Sequence, residues 1–212
     1  MRSKPWRLAQ ALFFVTGLLS LGYVVYAYAT LYLDQSFESQ LFDRAMAIRS
    51  LTYAPSMQPP QRGALIGRIE IPRLGISAII KEGVDAGTLR VAVGHIPSTA
   101  LPGRPGNVGV SAHRDTLFRN LKDAQPDETI TLTTAEGEYS YQVVSIAVVD
   151  PTDVSVLAPS ANHKTLTLVT CYPFYYVGHA PKRFIVRALQ LTPSLEHPTL
   201  RRLVTAKTGG QS

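Results

Sequence analysis

The sequence predicts an all-β domain, a sandwich or a closed barrel, carried behind one membrane-spanning helix. Three observations predict it. Between residues 65 and 191 the chain holds short apolar runs of strand character at near-regular spacing. Turn signals rich in Gly, Pro, Asp and Asn separate those runs, and only brief helices fit, at 85–91, 115–122 and 152–157. Ahead of them, the 26 residues from Leu8 to Leu33 carry no charge. Composition narrows the classes further. Fifteen glycines and fifteen prolines in 212 residues are ordinary usage, which excludes collagen-like and low-complexity chains. A single cysteine excludes an intrachain disulfide framework and a multi-Cys zinc module. The net charge of +6 owes half its value to Arg2, Lys4 and Arg7, since all 15 acidic residues lie beyond residue 33. The remaining excess of basic residues is too slight to argue for nucleic acid as a partner.

The elements follow in order. As a helix, residues 8–33 would extend about 39 Å, enough to cross a hydrocarbon core of about 30 Å with some tilt. Trp6 stands at one end and Tyr23, Tyr26, Tyr28 and Tyr32 crowd the other, where amphipathic rings favour the interface. A buried core helix of this length is more than a small domain can cover. Ala27-Tyr28-Ala29 resembles a signal-peptidase site, but the apolar run before it exceeds the roughly 7–15 residues of a cleaved signal, so an uncleaved anchor is expected. The basic flank before it and Asp34 and Glu38 after it put residues 1–7 in the cytoplasm and everything after residue 33 outside the cell membrane. Residues 34–63 are expected to be a stalk and linker: Phe37, Leu41, Ala45 and Ile48 recur at helical spacing, and Pro55, Pro59, Pro60 and Gly63 follow. A folded domain is expected at 64–192, with strands at 65–71, 74–80, 107–112, 128–134, 139–149, 164–171 and 182–191, and a tail at 193–212.

Cys171 is the natural starting point for chemistry. Along its strand Leu166, Leu168 and Thr170 face one way, and Thr165, Thr167, Val169 and Cys171 the other. Tyr172-Pro173 then breaks the strand, so the thiol stands at a strand end beside a loop. A lone cysteine is often just a small packed hydrophobe, yet outside the cell an idle thiol is exposed to oxidation. A nucleophilic thiol needs an imidazole and an oxyanion stabiliser. Of His95, His113, His163 and His179, His113 is best placed, following strand 107–112 and preceding Asp115, which reads as the N-cap of a helix rather than a third catalytic member. His95 reads as part of a turn; His163 and His179 read as loop residues. Arg183 lies twelve residues after Cys171, and pairing strands 164–171 and 182–191 would set its donor fork beside the sulfur. No paired-ligand spacing supports a metal bound by Cys171 and the histidines.

Thr167-Leu168-Val169-Thr170-Cys171 resembles the TLxTC signature of the sortases, membrane-anchored cysteine transpeptidases. The resemblance spans residues 65–191 and includes Gly94-His95-Ile96-Pro97, Pro105-Gly106-Asn107, His113-Arg114-Asp115-Thr116, Cys171-Tyr172-Pro173-Phe174 and Ala180-Pro181-Lys182-Arg183-Phe184; the last two are similar to the class D branch. Ala112 stands where that family's pattern has glycine. The resemblance implies a closed eight-stranded β-barrel, with Cys171 as nucleophile, His113 as acid/base and Arg183 as oxyanion stabiliser. It implies partners of two kinds, proteins carrying an LPxTG-like sorting motif and an amine acceptor, and no cofactor. Calcium, used by some relatives, would need clustered acids, and Glu136 and Glu138 are the weak candidates. A cysteine hydrolase on the same barrel and a noncatalytic tethered binding domain are the competing readings.

Overall fold

The computed structural model describes residues 4–49, 59–160, 163–176 and 178–191. The tail at 193–212 and most of the linker at 51–63 lie outside the described residues. Helix α1 (Lys4–Arg49) runs through both the apolar segment and the expected stalk. Its stretch Trp6–Ala29 has a mean hydropathy of 1.9 and exposes its large apolar side chains, Leu8, Phe13 and Leu18 among them. By length and composition this one helix can cross a membrane.

Eight strands follow: β1 (Leu65–Ile71), β2 (Ile76–Glu82), β3 (Val93–His95), β4 (Gly106–Ser111), β5 (Thr129–Thr134), β6 (Gly137–Val149), β7 (Lys164–Tyr172) and β8 (Lys182–Gln190). They close into a barrel in the order β1-β2-β3-β4-β7-β8-β6-β5. Two neighbouring pairs, β2–β3 and β4–β7, are parallel, and the others are antiparallel. Period-two alternation fills the interior. Ile69 and Ile71, Val108 and Val110, Ile130 and Leu132, and Leu166 and Leu168 turn inward and are buried. Each such side chain contributes about 1.5–3 kcal/mol on leaving water.

The structure departs from the sequence expectation at three places. Pro72–Leu74 wind into a single 3-10 turn, closed by Gly75 in the left-handed region (φ 62°), so β2 begins at Ile76 rather than Leu74. The eighth strand, β3, is only three residues long, too short to carry a periodic signal. It contains His95, which is therefore not in a turn. The His95 side chain is buried, with Nδ1 2.6 Å from Glu82 Oε2 at the end of β2 and Nε2 3.0 Å from the Ala100 carbonyl. This pair joins two strand ends to the loop beyond them. Finally, Asp115 caps no helix: residues 114–118 form turns, the Phe118 N–H bonds the His113 carbonyl at 3.1 Å, and the 3-10 turn Arg119–Asp123 begins only afterwards. The helix expected at 85–91 is α2 (Ala86–Val91), with Asp85 as N-cap accepting from the Gly87 and Thr88 N–H groups. Arg62 and the Thr88 hydroxyl also bond the Asp85 carboxylate and hold its pKa well below the usual carboxylate range.

Candidate active site

Strands β7 and β8 pair antiparallel with Cys171 directly opposite Arg183. On the other side of β7, β4 runs parallel with Ser111 beside Val169. One residue further, the two strands are bolted together. The Ala112 N–H donates to the Val169 carbonyl at 3.3 Å, and the buried Thr170 hydroxyl donates to the Ala112 carbonyl at 2.8 Å. These two bonds, one from the backbone and one from the Thr170 side chain, fix the residue before His113 to the two residues before Cys171. His113 leaves the sheet at the level of the sulfur.

Cys171, His113 and Arg183 line one open cleft of about 390 Å³, together with Arg114, Asp115, Gly178, His179 and Ala180. Cys171 and Arg183 are half-buried and His113 is exposed. The Arg183 guanidinium is anchored by Nη1, which donates to the Ala180 carbonyl at 3.2 Å and the Lys182 carbonyl at 3.0 Å. All three residues singled out in the sequence therefore meet at one place. The other histidines divide. His179 joins the cleft from the loop between β7 and β8. His95 belongs to the buried pair with Glu82, and His163 precedes β7 at the end remote from Cys171. Of the two acids considered for calcium, Glu136 faces Arg104 at 3.8 Å. Arg114 and Asp115 were legible only as neighbours of His113; their place in the cleft depends on how the 173–181 loop folds over it.

The outward face of β4 and β7 continues away from the cleft. Its far half is roofed by the 3-10 turn Val154–Leu157. Asn107 Nδ2 donates to the Val156 carbonyl at 3.1 Å, and the Thr167 hydroxyl donates to Asn107 Oδ1 at 2.8 Å. Gly109 lies under this roof: a methyl group there would sit 3.0 Å from Thr99 Cγ2, 3.1 Å from Leu157 Cδ2 and 3.3 Å from Ile96 Cδ1. The near half, Ser111, Val169 and Cys171, is only half-buried.

Residues 69–191 match the family model described as the sortase domain. Sortase D of Bacillus subtilis (strain 168) is 37% identical over 133 residues, which cover 63% of this chain and 67% of that protein. Among solved structures, a Clostridium perfringens Sortase D5 transpeptidase superposes with a TM-score of 0.62 at 27% identity, over 76% of this chain and 98% of its own. Clostridium perfringens sortase C, solved with the C-terminal cell wall sorting motif, gives a TM-score of 0.58 at 25% identity over 75% and 88%. With a barrel of the same architecture and a thiol, an imidazole and a guanidinium converging on one cleft, the chain belongs to the sortase family of cysteine transpeptidases and resembles its class D members.

Proposed function

We propose that the protein cuts an LPxTG-like sorting motif after its threonine and passes the acyl group to an amine, attaching proteins to the cell surface, with Cys171 as nucleophile, His113 as acid/base and Arg183 as oxyanion stabiliser. The observation that carries this reading is the register of Cys171 against Arg183 in the cleft that His113 also lines. The peptide would lie over the half-buried strip of Ser111 and Val169 with its scissile carbonyl above the sulfur. The Cys171 thiolate attacks that carbonyl carbon and an S–C bond forms. Nη1 of Arg183 is held by two backbone carbonyls, and the other donors of the fork, with no partner among the described residues, would meet the oxygen as it gains charge. When the tetrahedral intermediate collapses, the C–N bond breaks and protonated His113 gives its proton to the departing amine, leaving a thioester. An incoming amine attacks that thioester, His113 takes its proton back, and the thiolate is released. The open cleft leaves room for the second nucleophile to approach from solvent.

In this reading α1 is the anchor, with Arg2, Lys4 and Arg7 on the cytoplasmic side and the barrel outside the cell membrane. Mass spectrometry of the full chain in detergent, incubated with a library of sorting-motif peptides, tests the chemistry. An adduct equal to the peptide's acyl part is expected on Cys171, discharged faster as amine is added. Cys171→Ala should carry no adduct and cleave nothing. Cleavage by that variant at the wild-type rate would end the covalent mechanism, and discharge indifferent to amine would make the protein a hydrolase.

A further inference from the structure

The residue after His113 ties the two sides of the cleft together. Arg114 Nη2 donates to the Tyr176 carbonyl at 2.6 Å and to the Gly178 carbonyl at 3.2 Å, and its guanidinium lies 6.0 Å from the centre of the Tyr176 ring. All three contacts are to the loop joining β7 to β8. Two residues beyond Gly178 in that loop, the Ala180 carbonyl accepts from Arg183 Nη1. The link therefore runs from the chain beside His113, through the loop backbone, to the guanidinium opposite Cys171. The start of this loop is held by Phe174, which packs on Tyr172 and Phe184, and by Lys122 over the Tyr175 ring; further along, where Tyr176 is exposed, the donors of Arg114 attach it to the His113 segment. A cationic donor makes stronger bonds to carbonyl oxygen than a neutral one, and the planar group can stack on the ring at the same time.

We infer that Arg114 is a positioning residue for Arg183: it fastens the β7–β8 loop so that the Ala180 carbonyl holds the guanidinium beside the Cys171 sulfur. The inference rests on the transpeptidase reading for its effect on turnover, but not for its effect on Arg183. Misplacement of a catalytic group by about 1 Å can cost on the order of 100-fold in rate, so Arg114→Ala should lower kcat about 10- to 100-fold and change KM by less than about threefold.

A double-mutant cycle in the full chain tests it. Once Arg183 is gone there is nothing left for Arg114 to position, so Arg114→Ala added to Arg183→Ala should cost less than about threefold further. A second readout needs no peptide. Iodoacetate and iodoacetamide both alkylate Cys171 with loss of iodide, but only the first brings a carboxylate that Arg183 attracts. The ratio of the two rates should fall in Arg114→Ala and in Arg183→Ala and fall no further in the double variant. If Arg114→Ala does not fold, Arg114→Gln, which keeps the stem and one donor without the charge, carries the same cycle. Rate losses that multiply, or an alkylation ratio that drops again in the double variant, would overturn the inference. A wild-type chain inactive on every sorting peptide but showing the expected alkylation ratios would refute the transpeptidase reading and leave this one standing.

Discussion

Replacing Thr170 with valine removes a single hydroxyl and nearly preserves shape, which makes it a sharp probe of the bolt between β4 and β7. In the folded protein that hydroxyl donates to the Ala112 carbonyl at 2.8 Å, and Thr170 is 1% exposed, so water cannot take its place. Two effects oppose each other in the variant. Burying a methyl in place of a hydroxyl is favourable by about 0.8 kcal/mol, whereas leaving a buried carbonyl without its donor costs about 1–3 kcal/mol. The second wins, and a net loss of about 0.2–2 kcal/mol is expected. For a domain of this size that lowers Tm by roughly 1–8 °C. Because Thr170 and Ala112 immediately precede Cys171 and His113, the same change should loosen the spacing of thiol and imidazole and lower kcat by about tenfold or more. The control is Thr170→Ser, which keeps the donor and loses only a methyl, and it should retain kcat within about twofold. Thermal unfolding followed by circular dichroism and peptide-cleavage kinetics measure both quantities in detergent-solubilised full chain. Equal behaviour of the valine and serine variants in both assays would refute the reasoning; a valine variant that is destabilised yet fully active would show that the bond holds the fold but not the alignment of the site.

Three other outcomes follow from the same structure. Gly109→Val should wedge Thr99, Ile96 and Leu157 away from β4, cost about 1–3 kcal/mol, and raise KM for the peptide more than it lowers kcat, as read from steady-state kinetics. Glu82→Ala should strip the buried His95 ring of a partner 2.6 Å away and destabilise the barrel by about 1–3 kcal/mol in chemical denaturation, with little change in the pH profile of turnover. Asp85→Asn should lower Tm at neutral pH, and the difference from wild type should shrink as pH falls. Arg62 and Thr88 depress the folded-state pKa of Asp85, so its charge stabilises the fold fully above the unfolded value of about 4 and progressively less as acid protonates the folded carboxylate. A Tm difference that stays constant from pH 7 to pH 2 would count against that coupling.

How much of this was legible beforehand depended on the range of the forces involved. The alternation of Thr165 to Cys171 and the spacing to Arg183 are local, and antiparallel pairing across a short loop turns them directly into the Cys171–Arg183 register. The strands carrying Ile69, Ile130 and Leu166 declared themselves because half of each is buried in the barrel. His95 misled because its partners, Glu82 and the Ala100 carbonyl, are fixed by a strand of three residues that no periodicity marks. Asp115 reads as a helix cap because its sequence context fits one, whereas turns follow it and the residue lines the cleft. The role of Arg114 was invisible for a different reason: its acceptors lie more than sixty residues away, on a loop whose path only the closed barrel sets.

The strand order has a consequence for how the molecule comes to life. Without β7 and β8, the first six strands would make one open sheet in the order β4-β3-β2-β1-β5-β6, with β4 and β6 as its two free margins. The final hairpin is the keystone that drops between those margins, and it brings the sulfur and the guanidinium with it. Closing the cylinder and setting Cys171 opposite Arg183 thus depend on the same two strands, so under the proposed mechanism a chain lacking its last hairpin would have neither the closed barrel nor the nucleophile.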